Sequence, residues 1–265
     1  LATGYSLIYS LLDFSNWAHG EFAMVSAYIA IVLSSFMGMP FVLAAVGGMA
    51  GGALVSFLCE RFAYRRIRRN GAPNMFLMIA AMGLSNVFQQ AANLIFSGQY
   101  RSYPFKLPVS TIKVASAYIG VLDLVSLAIT AVIITILVYL INKTQFGLNV
   151  RAIACNAHAA KVLGVKVDRC IATVFVLAGV LYGMKYNVFP TMGNVGLKAF
   201  IASVIGGLGS VPGAIVGAII LGVIETFVSA FISSSLRDFF SFALLIVLLL
   251  VKPSGLLGKT VHEKV

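Results

Sequence analysis

The chain has 265 residues, of which 60% are hydrophobic and only 10% charged, and its mean hydropathy is +0.99. A soluble domain carries about a quarter charged residues, so this composition excludes a water-soluble globular protein and requires lipid over the outer surface. The net charge of +11 would suit nucleic acid, yet the basic residues lie in short clusters without aromatic interleaving, which excludes RNA or DNA as the partner.

Apolar segments fall near residues 1–12, 21–37, 40–59, 74–97, 117–141, 169–189, 199–232 and 238–251. Phe41 to Leu58 and Leu122 to Ile141 are almost uncharged and approach the length of a bilayer crossing. Pro40, Pro73, Pro104, Pro108, Pro190 and Pro253 sit at or beside segment ends, where a missing N–H does least harm. The first segment opens at Leu1 inside an apolar run without an initiator Met, so a preceding stretch is expected. These features predict an all-α, polytopic transmembrane bundle, a single domain over residues 1–265 with broken or re-entrant helices.

After the first segment, Asp13 to Glu21 brings three ionisable side chains and Asn16 between two apolar stretches. Two readings stay open. In one this is a surface loop, with Glu21 favoured by the dipole of the helix it opens. In the other, Asn16, His19 and Glu21 face the bundle interior or a wet cavity, because a charge in hydrocarbon costs several kcal/mol. Gly47, Gly48, Gly51 and Gly52 then mark a close helix–helix contact.

Arg61, Arg65, Arg66, Arg68 and Arg69 form the first basic cluster, and basic residues in short loops mark the cytoplasmic face. Along segment 74–97, Asn86, Gln89, Gln90 and Asn93 recur at i, i+3, i+4 and i+7. That spacing predicts one polar helix face, serving as packing glue or as the lining of a polar path; Asn86 and Gln90 are the candidates for the latter. The polar connection Gly98–Ser116 reads as periplasmic.

The second basic cluster, Lys143, Arg151, Lys161, Lys166 and Arg169, returns the chain to the cytoplasm. Within it, Asn156-Ala157-His158-Ala159-Ala160-Lys161-Val162-Leu163-Gly164 predicts a short helix stopped by Gly164. Its small residues suit insertion into a groove on a partner, or equally an interfacial helix. The chain emerges again near 190–196 and its tail, with Lys252, Lys259 and Lys264, is basic. Residues 199–251 must therefore cross an odd number of times. Gly206-Gly207-Leu208-Gly209-Ser210-Val211-Pro212-Gly213 cannot stay helical and predicts a turn within or near the membrane, tolerated only under protein or water cover. Gly52-Ala53 before Glu60 and Gly217-Ala218 before Glu225 hint at an internal repeat.

Enzyme chemistry finds no purchase in the sequence. There is no GxxxxGK[ST] phosphate loop, no dinucleotide fingerprint and no nucleophile beside a histidine; His19, His158 and His262 are scattered. No metal-ligand spacing occurs, and Cys59, Cys155 and Cys170 read as reduced cytoplasmic thiols.

Taken together, NWAHGEF, ERFAYRRIR, RAIACNAHAAKVLGVKVDR, PTMGNVGLKAFIASVIGGLGSVPGAIVGAIILGVIE and DFFSFALLIVLLLVKPSGLLG resemble, in order, the LivH-type permeases of branched-chain amino acid ABC importers. The resemblance implies a multi-pass subunit of the bacterial inner membrane, surrounded by lipid. It implies a second, LivM-like permease, two cytoplasmic ATPase subunits and a periplasmic amino-acid-binding protein as partners. ATP and Mg would then bind on the partner subunits, and this chain would hold no cofactor. The coupling loop, about 147–168, would dock on the ATPase through Asn156, Ala157, His158, Ala159, Ala160 and Gly164. His19, Glu21, Lys198, Gly206 and Gly207 fall at signature positions near the pathway. The family's first helix starts earlier than Leu1, and its counterpart of Ile171–Phe189 is longer by about two helical turns. A stand-alone secondary transporter or channel, or an ABC permease for urea, amides or sugars, remains the alternative.

Overall fold

The computed structural model describes residues 1–97, 101–102, 111–114, 117–180, 187–188 and 193–258. Among these, five helices are long and apolar enough to cross a membrane, and a bent pair makes a sixth. The class is the one the sequence predicts, with helices on every spanning path.

Helix α1 (Ala2–Leu12) has 11 residues, about 16 Å. It ends where Asp13 adopts a left-handed conformation, φ 49°. Residues 13–18 then climb back beside it, because the imidazole Nε2 of His19 lies 3.2 Å from the Leu1 carbonyl oxygen and its ring meets Tyr5 edge-on. Helix α2 (His19–Met37) thus starts beside the start of α1, inside the bundle, and Gly38 terminates it at φ 62°.

Helix α3 (Phe41–Cys59) packs on α2 along the predicted glycine stripe. The Ser26 hydroxyl donates to the Gly48 carbonyl at 2.7 Å, and a Cβ on Gly48 would stand 2.7 Å from the Ala30 methyl. Only Gly permits that approach. The helix continues through a π-helical turn (Glu60–Tyr64) into α4 (Arg65–Arg69), and α5 (Asn74–Phe96) runs back up the bundle.

Beyond α5, β1 (Arg101–Ser102) pairs antiparallel with β4 (Asn187–Val188), and β2 (Thr111–Val114) with β3 (Ala117–Gly120). The β1–β4 pairing brings the two connections read as periplasmic to one end. Helix α6 (Val121–Lys143) therefore starts four residues later than the apolar segment suggests, since 117–120 is strand.

At the basic end the chain bends by 71° from α6 into α7 (Gln145–Cys155). The Gly147 N–H bonds the Thr144 hydroxyl at 3.3 Å, and the Arg151 guanidinium donates to the Ile141 carbonyl. Helix α8 (Ala157–Val162) follows, then α9 (Val167–Val180). The expected shortfall around Ile171–Phe189 falls partly on 181–186 and 189, outside the described residues.

The apolar segment 199–232 is two helices, α10 (Gly193–Gly206) and α11 (Val211–Phe231), folded back on each other at the predicted break. Gly207 and Gly209 have φ of 108° and 80°, and Ser210 caps α11 by accepting from the Gly213 N–H at 3.1 Å. After a 3-10 turn (Ser234–Leu236), α12 (Arg237–Val251) returns. Of these three helices α11 and α12, the latter counted from Ser234, are long enough to cross a membrane, whereas α10, with 14 residues, is shorter. The turn lies at the basic end, where the tail straps it: Leu256 and Leu257 N–H groups donate to the carbonyls of Ile205 and Gly206, both at 2.9 Å.

The main apolar core joins α1, α2, α7 and α9, with Phe14, Phe22, Tyr64 and Phe175 its largest buried side chains. By contrast α5, α11 and α12 expose rows of large apolar residues, such as Val87, Leu94, Ile219, Phe227 and Leu250. Such surface requires lipid or another apolar subunit.

Candidate functional site: a polar cavity inside the bundle and a capped helix at its basic end

Because the chain after Asp13 re-enters the bundle, Asn16, His19 and Glu21 end up inside it, while Asp13 stays exposed. Asn16, His19 and Glu21 are 1%, 0% and 1% exposed, so the interior reading holds and the surface-loop reading does not. Glu21 Oε1 accepts from the Ser85 hydroxyl at 3.2 Å. Ser85 is halfway along α5, so Glu21 sits at mid-height.

Beside Glu21 is a cavity of about 200 Å³, lined by Tyr5, Asn16, Trp17, Glu21, Ser85, Gln89, Asn194, Gly196, Leu197 and Phe200. Its floor is held by aromatic and backbone contacts. Asn16 Oδ1 accepts from the Tyr64 hydroxyl at 3.0 Å and from the Ala18 N–H at 3.2 Å. Gly196 of α10 abuts Gly20 of α2, where a Cβ would stand 2.7 Å from the Gly20 backbone.

Of the residues singled out in the sequence, the cavity collects Asn16 and Glu21, with His19 packed behind against Tyr5. The amide stripe divides. Gln89 lines the cavity, whereas Asn86 donates to the Met82 carbonyl of its own helix and is exposed, as is Gln90. Gln89 and Gln90 are about 100° apart around the helix, so one wall cannot use both. Gln89 belongs to the predicted amide face without being one of its two path candidates, and the structure adds Ser85, four residues before it.

Lys198 points elsewhere. Its ammonium lies 2.8 Å from Glu225 Oε1 and 2.8 Å from Asp238 Oδ1, and the Ser241 hydroxyl donates to Glu225 at 2.9 Å. This network ties α10, α11 and α12 together. Gly206 and Gly207 stand at the basic-end turn, against Gly213 and against Gly255 and Gly258, and do not line the cavity.

At the basic end, α8 forms as its sequence predicts. The Ala159 N–H donates to Asn156 Oδ1 at 2.9 Å, so Asn156 is the N-cap, and Gly164 follows at φ 84°. Ala157, His158 and Ala159 are exposed, but Ala160 is 2% exposed and belongs to the chain's own core. The outward apolar residues are Val162 and Leu163, 76% and 81% exposed.

Just beyond, Asp168 gathers the first basic cluster. Its carboxylate receives Arg65 at 2.7 Å, Arg68 at 2.9 Å and Arg69 at 3.1 Å, and Arg68 also reaches buried Glu60 at 3.0 Å. The start of α9 is thereby fixed to α4, and both basic clusters share one end of the bundle. Among the described residues no group of three or more His, Cys, Asp or Glu could hold a metal ion, and Cys59, Cys155 and Cys170 are free thiols.

The model of the family described as branched-chain amino acid transport system / permease component matches residues 1–249. The chain is 34% identical to the high-affinity branched-chain amino acid transport system permease protein BraD of Pseudomonas aeruginosa, over 100% of this chain and 92% of that protein. It is 33% identical to the permease protein LivH of the Escherichia coli system, with the same coverage. A more distant relative, the fructose import permease protein FruF of Bifidobacterium longum, is 27% identical over 78% of this chain. No solved structure matches the chain. With the family model over nearly the whole length and relatives above 30% identity end to end, the chain belongs to the branched-chain amino acid permease component family, as a multi-pass membrane subunit of an ABC transport system and not an enzyme.

Proposed function

We infer that this chain, paired with a second, LivM-like permease in the bacterial inner membrane, forms the translocation path for branched-chain amino acids. Two cytoplasmic ATPases, carrying ATP and Mg, drive it through the loop 147–168, and a periplasmic binding protein delivers the substrate. The observation that carries the reading is the mid-height cavity, where buried Asn16 and Glu21 stand beside apolar Leu197 and Phe200. Buried ionisable groups in a membrane bundle belong to substrate or ion pathways. The substrate class follows from the names of the relatives matched along the full length; the sugar relative covers less of the chain at lower identity. The exposed faces of α5, α11 and α12 supply apolar surface for the second permease and for lipid.

Reconstitution tests this directly. Proteoliposomes with both permeases and ATPases, supplied with loaded binding protein outside and ATP inside, should accumulate leucine. Leucine uptake by this chain alone, without ATPase or ATP, would overturn the proposal.

A further inference from the structure

Between α3 and α4 the helix widens for one turn. The Arg65 N–H bonds the Glu60 carbonyl, five residues back, where an α-turn would use Arg61. Two neighbouring side chains at the end of this turn reach to different parts of the molecule. The Tyr64 hydroxyl donates to Asn16 Oδ1 at 3.0 Å, and Asn16 lines the cavity. The Arg65 guanidinium lies 2.7 Å from Asp168, at the start of α9. Asp168 follows α8 closely, and the connection is bonded back to that helix, the Val165 N–H donating to the Ala160 carbonyl at 3.0 Å.

Helix α9 grips the wide turn twice. Asp168 holds Arg65, and Phe175, seven residues on and so on the same face of α9, has its ring centroid 5.4 Å from that of Tyr64. Phe14, from the segment that carries Asn16, meets the Tyr64 ring at 5.5 Å. Tyr64 is fully buried among these rings, and a Phe would fill the same space. Only the hydroxyl makes the bond to Asn16.

We propose that Tyr64 and Arg65 are positioning residues for transport, joining the docking loop to the cavity so that movement of α8 and Asp168 resets Asn16. The relay rests on the drive through the loop 147–168 inferred above and names the residues that carry it into the bundle. The turn has two registers, and the grip of Asp168 on Arg65 holds the wide one. Taking up the α register turns the end of the segment by up to about 100°, one residue's step. That takes Arg65 off Asp168 and the Tyr64 hydroxyl off Asn16. Close packing around Tyr64 makes the change discrete, as packed cores have alternative arrangements and do not deform continuously.

The test uses the purified complex of both permeases and ATPases in nanodiscs. Cys59, Cys155 and Cys170 are replaced by Ala, and Gln89→Cys in the cavity wall is the reporter. Reaction of that thiol with a small maleimide is timed without nucleotide and after trapping with ATP, Mg and vanadate. The two rates should differ by about fivefold or more, the low end for coupling between two sites. Tyr64→Phe keeps the ring and removes the tie to Asn16; it should bring the rates at least about twofold closer, the low end for loss of a hydrogen bond. Asp168→Asn, which removes the charge that holds Arg65, should do the same. The double variant should lose no more than the larger single loss, because both residues lie on one relay. A purely structural role predicts lower melting temperatures with the rate ratio intact. That result, or losses that multiply in the double variant, overturns the relay and leaves the drive through the loop standing. Equal rates in the two nucleotide states before either substitution overturn that drive, and the relay with it.

Discussion

Replacing Leu163 with Ala tests how ATP hydrolysis reaches a chain that has no phosphate loop. Leu163 follows α8 and is 81% exposed, next to Val162 at 76%, in a stretch capped by Asn156 and closed by Gly164. Apolar side chains this exposed on a loop at the basic end have almost their whole surface left for a partner to cover. Leu→Ala removes three carbons, and at about 0.8 kcal/mol per buried CH₂, reduced for the part already covered, the loss is about 2 kcal/mol. That weakens a subunit contact roughly thirtyfold. The Val162→Ala, Leu163→Ala double variant should therefore release ATPase subunits during purification and lose stimulation by loaded binding protein. The bundle itself should melt as the unsubstituted chain does. Ala160→Trp makes the contrast: Ala160 sits in the chain's own core at 2% exposure, so a large ring there should destabilise the permease before it affects docking. The assay is ATPase rate with and without loaded binding protein, in complexes of verified stoichiometry. Full stimulation in the double variant would refute the coupling role. An interfacial helix resting on lipid headgroups predicts that outcome.

Three more expectations follow from the geometry. In a background without Cys59, Cys155 and Cys170, an impermeant thiol reagent added to intact cells should label a cysteine at 106 but not at 66; the reverse would invert the topology. Asp168→Ala should lower the melting temperature of the complex by removing the shared partner of Arg65, Arg68 and Arg69, at a cost of about 1–3 kcal/mol for the charged bonds lost, and Asp168→Glu should recover part of it. Gly196→Ala places a methyl 2.7 Å from the Gly20 backbone, so α10 must shift away from α2; overpacking of about 1–3 kcal/mol should appear as lower thermal stability and slower leucine uptake, and unchanged values for both would contradict the close contact.

Much of this fold is local information, and local information is legible. The apolar runs, the basic loops and the Gly206–Gly213 break each announce themselves within about ten residues, and helix α8 carries its own cap at Asn156 and stop at Gly164. The charge pattern required residues 199–251 to cross an odd number of times, and the glycine-rich break showed where they turn. What the sequence left open at Asp13–Glu21 was a choice between loop and interior, and nothing in those residues could settle it. The decision comes from residues 13–18 returning beside α1, which puts His19 against Leu1 and brings Glu21 to Ser85, 64 residues away. The amide stripe shows the same limit: periodicity put Asn86, Gln89 and Gln90 on one face, but only the packing of α5 against α2 chose Gln89 for the cavity. Lys198 found its carboxylates on α11 and α12, and Asp168 its arginines about 100 positions earlier. Helix, cap and turn are set by neighbours along the chain, whereas a cavity or an ion network is set by which helices meet. That meeting is a property of the whole bundle, because close packing fixes every contact at once.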